Sequence, residues 1–216
     1  KNSVLWSRLK EEENIINSKE YKNLVNHRLQ FPENNNAKYT LINHCKIDFV
    51  NLAIKHIKSE YYCWVDFGYL SKKEKTPLEM LDINKLNKEK INYTILNAIR
   101  DIDRNYLYTL KYAPEKIGGF FFFGNCENMK KFQSLYHYVH LKFQNLNIVD
   151  DDQFMVLQCY FENPDLFELH LSEWHQALIQ FQKGKDSLTK IMNRNGSDKG
   201  NGHHNYTVYY EKLFGH

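Results

Sequence analysis

The octapeptide IGGFFFFG, residues 117–124, limits the fold more than any other stretch of the chain. Four successive phenylalanines between glycines make too short a run for a helix. They leave no polar face, so the segment reads as a strand buried on both sides. A second aromatic run, YYCWVDFGYL at 61–70, reads in a similar way. Tyr61–Phe67 is expected to be a central strand, with Asp66 at its carboxyl end. INYTIL at 91–96 alternates weakly and suits a further strand. TVYY at 207–210 suits a last one.

Between these runs the pattern is helical. Residues 4–29 are charged and periodic, and FPENNN at 31–36 breaks them with proline and turn formers. From Tyr39 to Lys58 apolar side chains recur at three- and four-residue steps: Leu41, Ile42, Cys45, Phe49, Leu52, Ala53 and Ile57. That spacing predicts one amphipathic helix. Helices are also expected at Leu78–Leu81, Asn128–Asn145, Asp152–Phe161 and around Trp174–Gln182. Residues 100–116 are ambiguous, and NRNGSDKGNGHHN at 193–205 reads as a loop. Helices alternating with buried strands argue for the α/β class. A length of 216 residues suits a single domain spanning 1–216.

Charge and cysteine usage remove several function classes. The net charge is +3 without a basic stripe, which argues against a nucleic-acid partner. No run of eighteen apolar residues is present, so no membrane span is expected. Cys45, Cys63, Cys126 and Cys159 are too scattered for a zinc or redox motif. Reduced, mostly buried thiols and a cytoplasmic location are the expectation.

The candidate chemistry is acidic. Asp66 lies where open α/β sheets bind ligands, beyond the carboxyl end of a strand. A hard cation, Mg²⁺ or Mn²⁺, takes carboxylate oxygens and often shares them with phosphate. The plainer reading of Asp66 is an Asx-type turn with Gly68. Asp150, Asp151 and Asp152 precede Gln153 at a helix start. Neighbours on a helix do not share a face. One is therefore expected to cap the helix, one to face solvent and one to enter a cleft. Clustered acids raise one another's pKa, as a general base requires. Ordinary capping is the competing reading. Gly118 and Gly119 permit close approach of a ligand or neighbouring chain, or form a bulge. Trp64, Tyr69 and Trp174 suit stacking on sugar faces, although core packing is the commoner fate of such rings. His170 and His175 flank Trp174 and suit either a sugar pocket or the core. His203 and His204 are candidate metal or phosphate ligands, or simply exposed.

In order, the chain reads NAKYTLINHCKIDFVNLAI, SEYYCWVDFGY, IGGFFFFGN and DDDQFMVLQCYFENPDLFEL. This series resembles the bacterial HtrL/YibB-like family, the WlaTC type, from about Tyr39 to Phe167. The resemblance implies a GT-A-like nucleotide-diphospho-sugar transferase: a mixed sheet flanked by helices. A GT-A fold begins with strands that grip the nucleoside. Here Asp66 arrives after one helix–strand unit, so the first N-terminal strands are expected to be missing. The resemblance further implies that Asp66 holds a divalent metal on the donor diphosphate, with His204 as a second ligand. Gly68 stands where a D-x-D motif has its second acid, a departure from the general pattern. Gly118, Gly119 and Gln153 are implied to bind substrate, and Asp151 or Asp152 to take the acceptor proton. The implied partners are a nucleotide-sugar donor and a glycan or lipid-linked glycan acceptor, in surface-polysaccharide or lipopolysaccharide synthesis. The alternative is a non-catalytic glycan-binding or scaffold protein on the same fold. A metal-dependent phosphoesterase or nuclease ranks last, for want of a basic surface.

Overall fold

A computed structural model describes residues 3–66, 69 and 81–182. The chain divides into two units: Lys1–Leu78 with Asp82–Phe181, and Glu79–Leu81 with Gln182–His216. Of the second, Leu81 and Gln182 are described, and they pair in an isolated antiparallel bridge. All that follows concerns the first unit. The expected helix at Leu78–Leu81, the loop at 193–205, the strand at 207–210, His203 and His204 lie wholly or mainly outside the described residues.

Seven α-helices and four strands make up the described part of this unit. α1 (Leu9–Asn17) and α2 (Lys19–Leu24) are separated at Ser18, whose hydroxyl accepts the Tyr21 N–H and starts α2. Pro32–Asn34 forms a short 3₁₀ turn, and Asn36 then caps α3 (Ala37–His44). Next come α4 (Lys46–His56), β1 (Tyr61–Val65), β2 (Ile91–Ile95) and α5 (Tyr106–Tyr112). The segment left ambiguous in sequence is thus a turn followed by α5, capped by Asn105 and closed at Ala113 in the left-handed region. β3 (Ile117–Asn125), α6 (Cys126–Asn145), α7 (Asp152–Glu162) and β4 (Phe167–Leu171) complete the unit. Among the described residues, no helix is long and apolar enough to cross a membrane.

The class is α/β, with a four-stranded mixed sheet flanked by helices. A sheet of this size is consistent with a GT-A-like fold that lacks some strands. The strand order is β1-β3-β2-β4. β3 is antiparallel to both β1 and β2, and β2 is parallel to β4. The carboxyl ends of β1, β2 and β4 therefore share one rim with the amino end of β3. As expected, β3 is buried along nearly all its length, and it lies between β1 and β2. Its phenylalanines point to separate partners: Phe122 to Phe132 on α6, Phe121 to Phe181, and Phe120 to Tyr69 and Trp174.

Three expectations are corrected. Among the described residues β1 is an edge strand, not a central one, since β3 is its one strand neighbour; α4 packs on it, with Trp64 stacked on Phe49. The single helix expected over 39–58 is two, divided at Cys45. The division rotates the buried face, so Ile47 and Val50 enter the core, whereas Ile42, Phe49, Leu52 and Ile57 stay exposed. The helix expected over Trp174–Gln182 is a pair of 3₁₀ turns, Trp174–Gln176 and Ile179–Phe181. There the tertiary contacts of Trp174 with Phe120 and of Phe181 with Phe121 prevail over local periodicity.

Candidate functional site

The pairing of β2 with β3 runs in register to Tyr93–Phe122 and resumes at Thr94–Gly118. Gly119, Phe120 and Phe121 are left over and arch away from β2 as a bulge, a device that re-aims groups at sheet rims. The arch turns toward β1, where the Asp66 N–H donates to the Phe120 carbonyl at 2.9 Å. It also brings Gly119 against the start of α7. A Cβ on Gly119 would lie 2.8 Å from Asp152 Oδ2 and 3.1 Å from Gln153 Cγ. Only glycine admits that approach.

The three aspartates do fan out, but none is left to solvent as expected. Asp151 caps α7, its Oδ1 accepting the Phe154 N–H at 2.9 Å. Asp150 is buried and forms a bidentate pair with Arg28, at 2.9 and 3.0 Å. The buried Ile148 and Val149 just before it carry Asp150 inward, and Arg28 compensates its charge. Asp152 enters the cleft.

Asp66 and Asp152 meet there through a residue that the sequence pattern does not single out. The Lys46 ammonium, at the head of α4, lies 3.2 Å from Asp66 Oδ2 and 2.9 Å from Asp152 Oδ2. It also donates to the Gly119 carbonyl at 2.9 Å. The second oxygen of Asp66 accepts the Trp64 indole N–H at 2.6 Å. Trp64 therefore orients the acid, besides stacking on Phe49. The backbone of Asp66 also closes a turn, its carbonyl accepting the Tyr69 N–H. Burial disfavours the charge on Lys46, yet the two carboxylates outweigh it and hold the ammonium protonated. Burial, with Asp150 and Asp152 alongside, holds the half-buried Asp151 carboxyl well above its ordinary range. Burial also raises Asp152, with Lys46 pulling it back.

Two adjoining hollows surround this centre. One, of about 450 Å³, is walled by Trp64, Tyr69, Phe120 and Trp174 with Asp66 and Lys46. The other, of about 200 Å³, adds Glu33, Tyr39, Gly119, Asp151, Asp152 and Gln153. Tyr69 stacks on Phe120 at 4.2 Å, Trp174 meets Phe120 edge-on at 4.4 Å, and the Tyr69 hydroxyl donates to the Trp174 carbonyl. Trp64, Asp66, Tyr69, Gly119, Asp151, Asp152, Gln153 and Trp174 thus line one cleft. Gly118 does not line it; a Cβ there would strike the Phe120 ring at 2.6 Å. His170 also turns elsewhere, to Asn92 and the Phe181 ring. A larger hollow of about 790 Å³ shares Ile42 and Phe49 with the cleft and is mainly apolar. It explains where the exposed apolar residues of α3 and α4 face.

The lining of the small hollow carries Glu33, Asp66, Asp151 and Asp152 against one lysine. Asp66 is the open member, its side chain 35% exposed. A carboxylate offers about four lone-pair sites, and two hydrogen bonds leave room on the cleft side. The divalent cation expected at Asp66 would have to share it with the ammonium, 3.2 Å from Oδ2. His204, its expected second ligand, lies outside the described residues.

A charged cleft on the rim of a mixed α/β sheet is the class that fold and site define. A family model described as "Bacterial protein of unknown function (HtrL_YibB)" matches residues 4–183. The chain belongs to that family, as the sequence motifs indicate. It is 29% identical over 168 residues to Protein HtrL of Escherichia coli strain K12. That alignment covers 76% of this chain and 57% of the relative, so the chain spans little more than half of the relative's length. No solved structure matches the chain.

Proposed function

We propose that this chain carries the catalytic cleft of a nucleotide-sugar-dependent glycosyltransferase. The observation that carries the reading is the meeting of Asp66 and Asp152 at one ammonium, beside a wall of aromatic rings. Aromatic faces suit sugar rings, and the paired charges suit a leaving diphosphate and an acceptor hydroxyl. In this reading Trp64, Tyr69 and Trp174 flank the sugar, and Gly119 and Gln153 border it. In an inverting transfer Asp151 accepts the acceptor hydroxyl proton as the new glycosidic bond forms. As it forms, the bond from the anomeric carbon to the nucleoside diphosphate breaks on the opposite face, and its electron pair leaves with the phosphate. An upward shift makes the Asp151 carboxylate a stronger base, the direction that role asks for. Asp152 holds Lys46 toward the reacting groups.

A divalent cation, Mn²⁺ or Mg²⁺, bound at Asp66 would offset the charge of the leaving diphosphate as a Lewis acid. The acid-rich lining calls for such a counter-charge before a diphosphate can enter. The acceptor that we propose is a hydroxyl of a surface glycan, lipopolysaccharide or lipid-linked glycan. The proposed location is the cytoplasm, on the side where nucleotide sugars are made.

The same acid-rich lining favours a second reading, a glycan-binding module without turnover. Neutral sugars donate hydroxyl protons to carboxylates and stack on aromatic rings with no need of a cation. Calorimetry separates the two readings. A transferase should bind a nucleoside diphosphate or nucleotide sugar, more tightly with Mn²⁺ present. A binding module should take up free glycan alone, with Mn²⁺ making no difference. Glycan binding without nucleotide binding would sink the transferase proposal.

A further inference from the structure

In the core, α1, α3 and α6 bring Glu12, His44 and His140 together. Their exposures are 0%, 1% and 0%. One potential ligating atom of each lies within 4.8 Å of the others. Such a grouping is expensive to bury without partners, since an unsatisfied buried polar atom costs about 1–3 kcal/mol. Yet Glu12 Oε2, His44 Nε2 and His140 Nδ1 have no hydrogen-bond partner. The other polar atom of each residue is held. Tyr136 Oη lies 2.6 Å from His44 Nδ1. Gln144 Nε2 donates to Glu12 Oε1 at 3.1 Å, and His140 Nε2 lies 2.7 Å from the same oxygen.

We propose that Glu12, His44 and His140 bind a structural divalent metal ion of the zinc type. Two imidazoles and a carboxylate are a donor set that Zn²⁺ takes, with a water in the fourth position. With its proton on Nδ1 and given to Tyr136, His44 turns the Nε2 lone pair toward the ion. Metal-bound histidines are oriented by an outer hydrogen bond in this way. Gln144 serves the Glu12 carboxylate likewise, leaving Oε2 to ligate. His140 contributes Nε2, the nitrogen already beside Glu12, and the ion replaces their direct contact. Tetrahedral zinc sets its ligand atoms roughly 3.3 Å apart, from bonds of about 2.0–2.1 Å. Small side-chain rotations therefore close the group onto the ion. Because the residues are fully buried, the ion enters as the chain folds and then exchanges slowly. It pins α1 to α3 and α6 and gives a partner to two of the three stranded atoms, Glu12 Oε2 and His44 Nε2.

The test measures metal in the purified chain by mass spectrometry, after long dialysis of the native protein against EDTA. About one zinc per chain should survive dialysis, and unfolding in guanidinium with a chromogenic chelator present should release it. Refolding with Zn²⁺ at a hundredfold excess over its Kd should raise Tm by about 5–10 °C over metal-free refolding. His140→Gln and Glu12→Gln should lose the retained ion. Where they fail to fold, Co²⁺ substituted into the wild-type chain should give a tetrahedral nitrogen–oxygen spectrum with no thiolate band. Less than about a tenth of an ion per chain, with a Tm indifferent to Zn²⁺, would mean that a buried water satisfies these groups. That result overturns the proposal, as does a thiolate spectrum, which would place the ion on the cysteines.

Discussion

Replacing Lys46 with methionine keeps the length and apolar stem of the side chain but removes the ammonium that joins the two acids. Asp152, its side chain 9% exposed, then stands buried beside Asp66 with no counter-charge. Removing one partner of a buried ion pair costs about 3–5 kcal/mol. Two features reduce that figure. Asp66 is 35% exposed, so solvent screens its share. Asp152, already raised by burial, can take up a proton. A loss of about 2–3 kcal/mol remains, or a fall in Tm of roughly 5–10 °C for a chain of this size. Urea unfolding of Lys46→Met, Asp152→Asn and the double variant measures the coupling directly. Asp152→Asn removes the stranded charge, so the double variant should be less destabilised than the sum of the two singles. The expected coupling energy is about 1–2 kcal/mol. A Lys46→Met loss below about 0.5 kcal/mol, additive with Asp152→Asn, would refute the bridge.

Gly119→Ala places a methyl 2.8 Å from Asp152 Oδ2 and should push the carboxylate off Lys46. The expected loss is about 1–3 kcal/mol, read by urea unfolding; stability equal to wild type would show that the bulge does not confine Asp152. Asp103 is buried, which raises its carboxyl, but the Arg100 N–H, Lys116 and the Arg100 guanidinium outweigh burial and hold it below its ordinary value. A depressed folded pKa gives stability that is present above the unfolded value and lost as pH falls through the folded one. Tm should therefore fall below about pH 4, and Asp103→Asn should flatten that fall while lowering Tm at pH 7. An unchanged acid limb in the variant would count against the Asp103–Lys116 pair.

The parts of this molecule legible in sequence are those that depend on near neighbours. Four phenylalanines between glycines admit little but a covered strand, and β3 is that strand. DDDQ before an apolar run marks a helix start, and Asp151 caps it. Strand order depends on distant pairing, so nothing local shows β1 at the edge. Lys46 is not singled out because the three- and four-residue spacing over Tyr39–Lys58 reads as one helix. A signal was present: Ile47, Val50 and Ile54 form a second apolar stripe out of phase with Leu41, Cys45 and Leu52. Two stripes on one stretch mark a change of phase, and the change at Cys45 turns Lys46 inward. Arg28, Glu12 and His140 are silent for a different reason. Each is polar in sequence and buried only because its partner arrives from more than a hundred residues away.

The most direct test of the transferase account is release of nucleoside diphosphate from a panel of nucleotide sugars, with manganese, by the wild-type chain and by Asp66→Asn. The account predicts release by the wild type with at least one sugar. It predicts loss of release in the variant, with Tm moved by no more than a few degrees. Equal release by both proteins would contradict it.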